Sequence, residues 1–217
     1  MHMDYKKEFF QNIKSIFVPT IKSFGFNGTG NNYYRKIGHT IQTLNIQGNK
    51  YGGSSCVNLG LHFDYLPVNN SLEIKPEKIF KTYYSTFSKR LAPHGQSDYW
   101  WQYKGKFPFG NSKKSVIHLN ETFLSEGMKL FEKFESDDDV LPHLRLELIQ
   151  QREYIPFFGG ITAQRAALTV SRIYAQKHAL DKALLFAQEG LKISENAPIL
   201  VKEFEMLIKE LSNAHGT

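Results

Sequence analysis

From residue 54 to 65 the chain reads SSCVNLGLHFDY. Val57, Leu59, Leu61, Phe63 and Tyr65 fall on every second position, with Cys56, Asn58, Gly60, His62 and Asp64 between them. A strand points alternate side chains to opposite faces, so this run predicts a strand with one dry and one more polar face. It anchors an antiparallel sheet covered on one side. Residues 33–37 and 40–47 read as a hairpin closed by Gly38-His39, and the turn NKYGG leads into the anchor strand. A fourth strand is expected near residues 83–91, although Phe80, Tyr83, Tyr84 and Phe87 also fit helical spacing. Residues 98–104 make a short segment carrying Trp100 and Trp101, and 115–119 reads as a further strand.

Helical spacing brackets this region. Phe9, Ile13, Ile16, Phe17 and Ile21 predict a helix over 4–23, which Pro19 should kink or interrupt. Gly25 suits a left-handed cap, with Phe26 folding back on Ile21. Residues 27–32 read as a Gly/Asn-rich turn and 69–76 as a loop. Pro76 can open a helix carrying Ile79, Phe80 and Tyr83. Residues 120–135 predict a helix with Leu124, Met128, Phe131 and Phe134 on one side.

At Ser136 alternation stops. Asp137, Asp138 and Asp139 precede Val140, Pro142 falls in a first turn, and Leu141, Leu144 and Leu148 line a buried side. YIPFFGG (154–160) breaks this helix, and three more are expected over 162–178, 180–194 and 198–213. Val170, Tyr174, Ala183, Ala187 and Gly190 resemble the bulky and small positions of a tetratricopeptide unit. Pro198 comes three residues late for that repeat and no second copy follows, so a packed helical hairpin is the preferred reading. The fold class is therefore α+β: an antiparallel sheet of four to five strands flanked by helices, followed by an all-helical segment. The expected division is a sheet domain over 1–135 and a helical region over 136–217, packed on or beside it.

Composition narrows the possibilities. In 217 residues the single cysteine, Cys56, excludes an internal disulfide and a cysteine-built zinc site, and reads as a small core residue. The amino terminus lacks an apolar signal region and no apolar run is long enough to span a bilayer, so a cytoplasmic location is expected, with no membrane partner. Charge is uneven. Residues 1–135 hold 18 Lys+Arg against 10 Asp+Glu, and the window 75–114 alone has nine basic and two acidic residues. Such a surface speeds encounter with an anionic partner, and a plain solubility face is the alternative.

Gly25-Phe26, Tyr34-Arg35, Ile46-Gln47, the run VNLGL (57–61), Arg90-Leu91 and Trp100-Trp101 occur in that order. In these the chain resembles the bacterial family catalogued as domain of unknown function 4304, over about residues 5–135. The resemblance implies a bacterial cytoplasmic protein with an α+β domain. It brings no activity and no catalytic residues.

Candidate chemistry is sparse. The glycine-rich spots lack the spacing of a phosphate loop, and Ser54-Ser55 lacks a nucleophile elbow. His62 and Asp64 share the polar face of the anchor strand, a pairing fit for acid–base work or a metal only if a third group joins them; His39, His94 and Asp98 are the candidates. The triple aspartate lacks a calcium-loop pattern, and capping by Asp139 is preferred. No cofactor and no metal are expected. The segment 89–114 interleaves basic and aromatic residues, and its candidate binding residues are Lys89, Arg90, Trp100, Trp101, Lys104, Lys106, Lys113 and Lys114. Adjacent tryptophans on an extended chain can instead point apart, one into the core and one over its edge.

Three readings follow. The first is a non-catalytic protein-binding module for an acidic partner, one form being an immunity or defence factor that plugs another protein. The second is a single-stranded nucleic-acid-binding module using 89–114. The third is an enzyme using His62 with Asp64.

Overall fold

The computed structural model describes residues 4–68, 74–75, 80–104, 111–152 and 161–215. The expected helix at Pro76, most of the 69–76 loop, the YIPFFGG break and Lys106 lie outside the described residues.

The first helix is built in three pieces: α1 (Tyr5–Asn12), a π turn (Ile13–Phe17) and α2 (Val18–Ser23). Pro19 therefore sits in the first turn of α2, where its missing N–H costs least. The helix ends as expected. Gly25 has φ +83° and donates to the Lys22 carbonyl, and Phe26 N–H reaches back to Ile21 O at 3.1 Å.

Five strands form the sheet in sequence order: β1 (Asn27–Thr29), β2 (Asn32–Ile37), β3 (Thr40–Gly48), β4 (Ser54–Phe63) and β5 (Phe87–Arg90), all antiparallel. A two-residue strand, β6 (Trp101–Gln102), pairs with the start of β4, in line with β5. The Gly38-His39 turn sets Ile37 opposite Thr40, and the NKYGG turn sets Gly48 opposite Ser55. Three expectations need correction. The 27–32 turn contains β1. The fourth strand starts later, because Thr82–Tyr84 is a 3-10 turn. Residues 115–119 are helical, inside α3 (Ser112–Thr122), which runs through a π turn (Phe123–Gly127) into α4 (Met128–Lys133). Asn111 caps α3 through the Lys114 N–H, and Val116, Leu119 and Phe123 continue one helical stripe across the expected strand–helix boundary.

α1–α2 and α3–α4 cover one face of the sheet. Phe9, Phe17, Leu44, Leu59, Trp101 and Phe123 belong to the core between them. Arg35 ties the two helix ends to that face. Its Nε donates to Gln42 Oε1 (2.6 Å) and its Nη1 to the Phe24 carbonyl, while Gln42 Nε2 donates to the Phe131 carbonyl (2.9 Å). Arg35 thus satisfies the Phe24 carbonyl at the end of the first helix and holds the Gln42 amide that reaches the end of α4.

Ser136 opens α5 (Asp137–Val140), and the Asp139 carboxylate accepts from the Ser136 N–H at 2.8 Å. A 3-10 turn (Leu141–His143) and α6 (Leu146–Gln151) follow, then α7 (Ala163–Gln176), α8 (Leu180–Lys192) and α9 (Pro198–His215). Their core is continuous with Leu61, Phe63 and Phe87 of the sheet. Gly190 lets α8 close on its neighbours: a Cβ there would collide with the Phe204 ring and touch Ala167. The small residues of the tetratricopeptide-like stretch thus serve close helix approach. Among the described residues, no helix is long and apolar enough to cross a membrane.

Candidate functional site

Opposite the helices, the sheet's other face divides into two parts. Toward the end of β4 it is covered. Ile41, Val68 and Phe80 form a small core there, and the 3-10 turn approaches Gly60 so closely that a Cβ would overlap Ser85 Oγ and Thr43 Oγ1. The expected polar face of β4 is therefore buried at Gly60 and His62, and Cys56 at its other end is buried as well.

His62 is 1% exposed and its ring stacks on Phe80 at 4.6 Å. Nε2 faces the Leu66 carbonyl at 3.0 Å, so it carries the proton; Nδ1 then accepts from the Thr86 hydroxyl at 2.8 Å. Asp64 turns elsewhere, pairing with Lys36 (2.7 Å) and His39 (2.8 Å). The structure does not bring the His62–Asp64 pair together around a substrate space, and both His62 nitrogens are already engaged. Burial pushes the His62 imidazole from 6.5 down to about 4. The folded state thus prefers the neutral ring. That contribution is complete above about pH 6.5 and is lost as acid protonates the unfolded chain first, down to pH 4. We expect this group to remove about 3 kcal/mol of stability over that window. The check is denaturant unfolding from pH 7 to 4, in which His62→Gln should flatten this part of the slope.

At Asn58, between these buried positions, the same face opens. Asn32, Asn45, Asn58 and Arg90 stand directly opposite one another on β2, β3, β4 and β5. Three strand spacings make this row roughly 14 Å long. Arg90 Nε donates to Asn58 Oδ1 (3.4 Å), Asn58 Nδ2 to Asn45 Oδ1 (3.3 Å), and Asn45 Nδ2 to Asn32 Oδ1 (2.9 Å). A guanidinium can only donate, so Arg90 fixes which way every amide in the row points. Asn58 Nδ2 also donates to Gln47 Oε1 at 2.9 Å. Arg90 is held twice more: its Nη1 donates to Asp98 Oδ1 at 3.0 Å, and its guanidinium lies 4.9 Å from the centre of the Trp100 ring.

The amide row floors a concavity of about 1030 Å³, walled by Lys81, Thr82 and Tyr83 on one side and by the 95–98 turn on the other. A second hollow, about 390 Å³, lies on the helix side of β5 and is lined by Lys89, Leu91, Glu126, Lys129 and Lys133. Lys89, Arg90, Gly95 and Gln96 line both, so the two meet around the end of β5. Among the described residues the rim carries five cations, Lys81, Lys89, Arg90, Lys129 and Lys133, against Asp98 and Glu126. Neither a cysteine nor a pair of neighbouring carboxylates is among the described lining residues. Among the described residues no group of three His, Cys, Asp or Glu is arranged to hold a metal.

The sequence-derived patch is thus split. Lys89 and Arg90 line this site, and Trp100 is linked to it through the Arg90 guanidinium on its ring. Trp101 is 1% exposed, in the helix-side core, and cannot meet a partner. Lys104 packs beside Gly53, and Lys113 and Lys114 stand in the first turn of α3. None of these three lines either hollow. Missing from the sequence reading were the amide row, Lys81, Lys129 and Lys133. Part of that row was readable: a two-residue turn at 38–39 already puts Asn32 opposite Asn45.

No curated protein and no solved structure matches the chain. Residues 17–144 match the family model described as Domain of unknown function (DUF4304), and the chain belongs to that family.

Proposed function

We propose that this protein is a binding module that receives an acidic, extended segment of a partner protein along the end of β5. The observation that carries this reading is the pair of adjoining hollows, where the described residues set five cations facing two carboxylates over a floor of aligned amides. Asparagine and glutamine side chains offer both donors and acceptors, which suits a polypeptide backbone, and the flanking cations suit Asp and Glu side chains. An immunity or defence factor that plugs another protein is one form of such a module; its partner would carry the acidic segment.

Nucleic acid fits less well. A single-strand platform needs open aromatic faces for stacking. Here Trp101 and Tyr103 are buried, Trp100 already carries Arg90 on its ring, and Tyr83 on the groove wall, 66% exposed, is a single open ring with Tyr84 and Lys81 against it.

The test is calorimetric titration at low salt with an octaglutamate peptide, an uncharged peptide of equal length and a 12-nucleotide oligothymidylate. Octaglutamate should bind best, with affinity falling as salt rises. Joint substitution of Lys81→Glu and Lys129→Glu should weaken binding at least about tenfold, the scale of a hot-spot loss. Joint substitution of Lys113→Glu and Lys114→Glu should change it by less than about twofold, as expected for charges outside the contact. Tighter binding of the oligonucleotide, or equal losses in both double variants, would refute the proposal.

A further inference from the structure

We infer that Asp98 is a built-in stand-in for the ligand's carboxylate, occupying Arg90 until an acidic side chain of the partner replaces it. The inference rests on the binding reading above and names the specificity-determining contact within it.

Arg90 is held by three groups, Asn58, Asp98 and the Trp100 ring. Its Nε is anchored on Asn58 and its ring-like plane rests over Trp100, so position and orientation are set by the floor before any ligand arrives. Asn58 is in turn held by Asn45 and Gln47. A guanidinium fixed in this way is shaped for a carboxylate, whose two oxygens can take parallel N–H bonds.

Asp98 makes only part of that bond. A single oxygen, Oδ1, accepts from a single nitrogen, Nη1, at 3.0 Å. The Asp98 side chain is 54% exposed and Arg90 28%, so the pair faces water and is easily exchanged. Asp98 also sits outside the sheet, just past a turn closed by Gln96 N–H on the Pro93 carbonyl, with Gly95 at φ +78°. Arg90, by contrast, is in the ladder opposite Asn58. The anchor is rigid and the internal carboxylate hangs on a surface turn. An acidic side chain that approaches both Nη atoms would gain a bidentate contact in place of a one-point one. Asp98 therefore sets a threshold: neutral segments leave the pair intact, and carboxylate-bearing segments exchange with it.

A double-mutant cycle on the full chain tests this, with octaglutamate as the probe and calorimetry as the readout. Asp98→Asn should tighten binding roughly three- to fivefold, the scale of an exposed ion pair. Arg90→Gln should weaken it at least about tenfold. In the Arg90→Gln background, Asp98→Asn should have no further effect, because Asp98 acts through Arg90. Circular dichroism melts of each variant confirm that the fold is retained. If Asp98→Asn tightens binding equally with and without Arg90, the effect is general charge and the stand-in role is overturned. If Asp98→Asn leaves binding unchanged or weaker while Arg90→Gln weakens it, the groove reading survives and this inference alone fails. If octaglutamate does not bind the unsubstituted protein, both fail.

Discussion

Trp101→Ala lowers the unfolding free energy by about 3–5 kcal/mol, while Trp100→Ala, one residue away, changes it by less than about 1 kcal/mol. The two side chains leave an extended backbone in opposite directions. Trp101 sits opposite Ser55 on β4 and enters the core shared with Val57, Leu59 and Val116. Removing its indole leaves a cavity between sheet and helices that neither layer can close. Trp100 is partly exposed and supports Arg90. Its loss should appear in peptide affinity instead. Trp101→Phe separates packing from polarity. The buried Nε1 of Trp101 has no hydrogen-bond partner, so phenylalanine removes an unpaired donor as it shrinks the ring. Those terms offset, and Trp101→Phe should cost much less than Trp101→Ala. Urea unfolding of the three variants provides the numbers. Equal losses at positions 100 and 101 would contradict the opposed orientations.

The sheet's near-sequence order was legible because its signals are local. Alternation in 54–65, a two-residue turn at 38–39 and a glycine-rich turn at 49–53 set three strands and their order. The Gly25 cap and the helices after residue 162 are of the same kind. What was not legible depends on segments distant in sequence. Val116, Ile117 and Leu119 look like a strand in a five-residue window; only the longer stripe through Phe123 reveals the helix, with Asn111 capping it. His62 alternates with apolar neighbours as a solvated residue would, yet residues 80–86 fold over it. The binding site suffers most from this limit. Lys129 and Lys133 reach it from α4, about forty positions after Lys89 in the sequence. Conversely, Lys104, Lys113 and Lys114 are close to Arg90 in sequence and belong to other surfaces. A charge window measures proximity along the chain, and a site is assembled by strand pairing and helix docking.

Gly60→Val tests the contact on which both the buried histidine and the groove wall depend. By propensity alone valine should favour the centre of a strand, and glycine should weaken it. Position 60 reverses that preference, because any Cβ overlaps Ser85 Oγ and Thr43 Oγ1, which also bond each other at 3.2 Å. The two hydroxyls can rotate aside, but Ser85 Cβ, 2.9 Å from the added carbon, cannot, so relief requires lifting the segment that carries Ser85. Gly60→Ala should cost about 1–3 kcal/mol and Gly60→Val more, lowering the melting midpoint by roughly 5–10 °C in a chain of this size. The same displacement moves Phe80 off the His62 ring and Thr86 off Nδ1. Water then reaches the imidazole, and its titration, followed by proton NMR, should rise from about 4 toward 6.5. Thr82 and Tyr83 move with the segment, so octaglutamate affinity should fall even though Arg90 and Asp98 are untouched. A purely local defect at Gly60 would lower stability without shifting the histidine. A Gly60→Val protein as stable as the parent, with His62 still titrating near 4, would mean that residues 80–86 do not lie on the sheet at all.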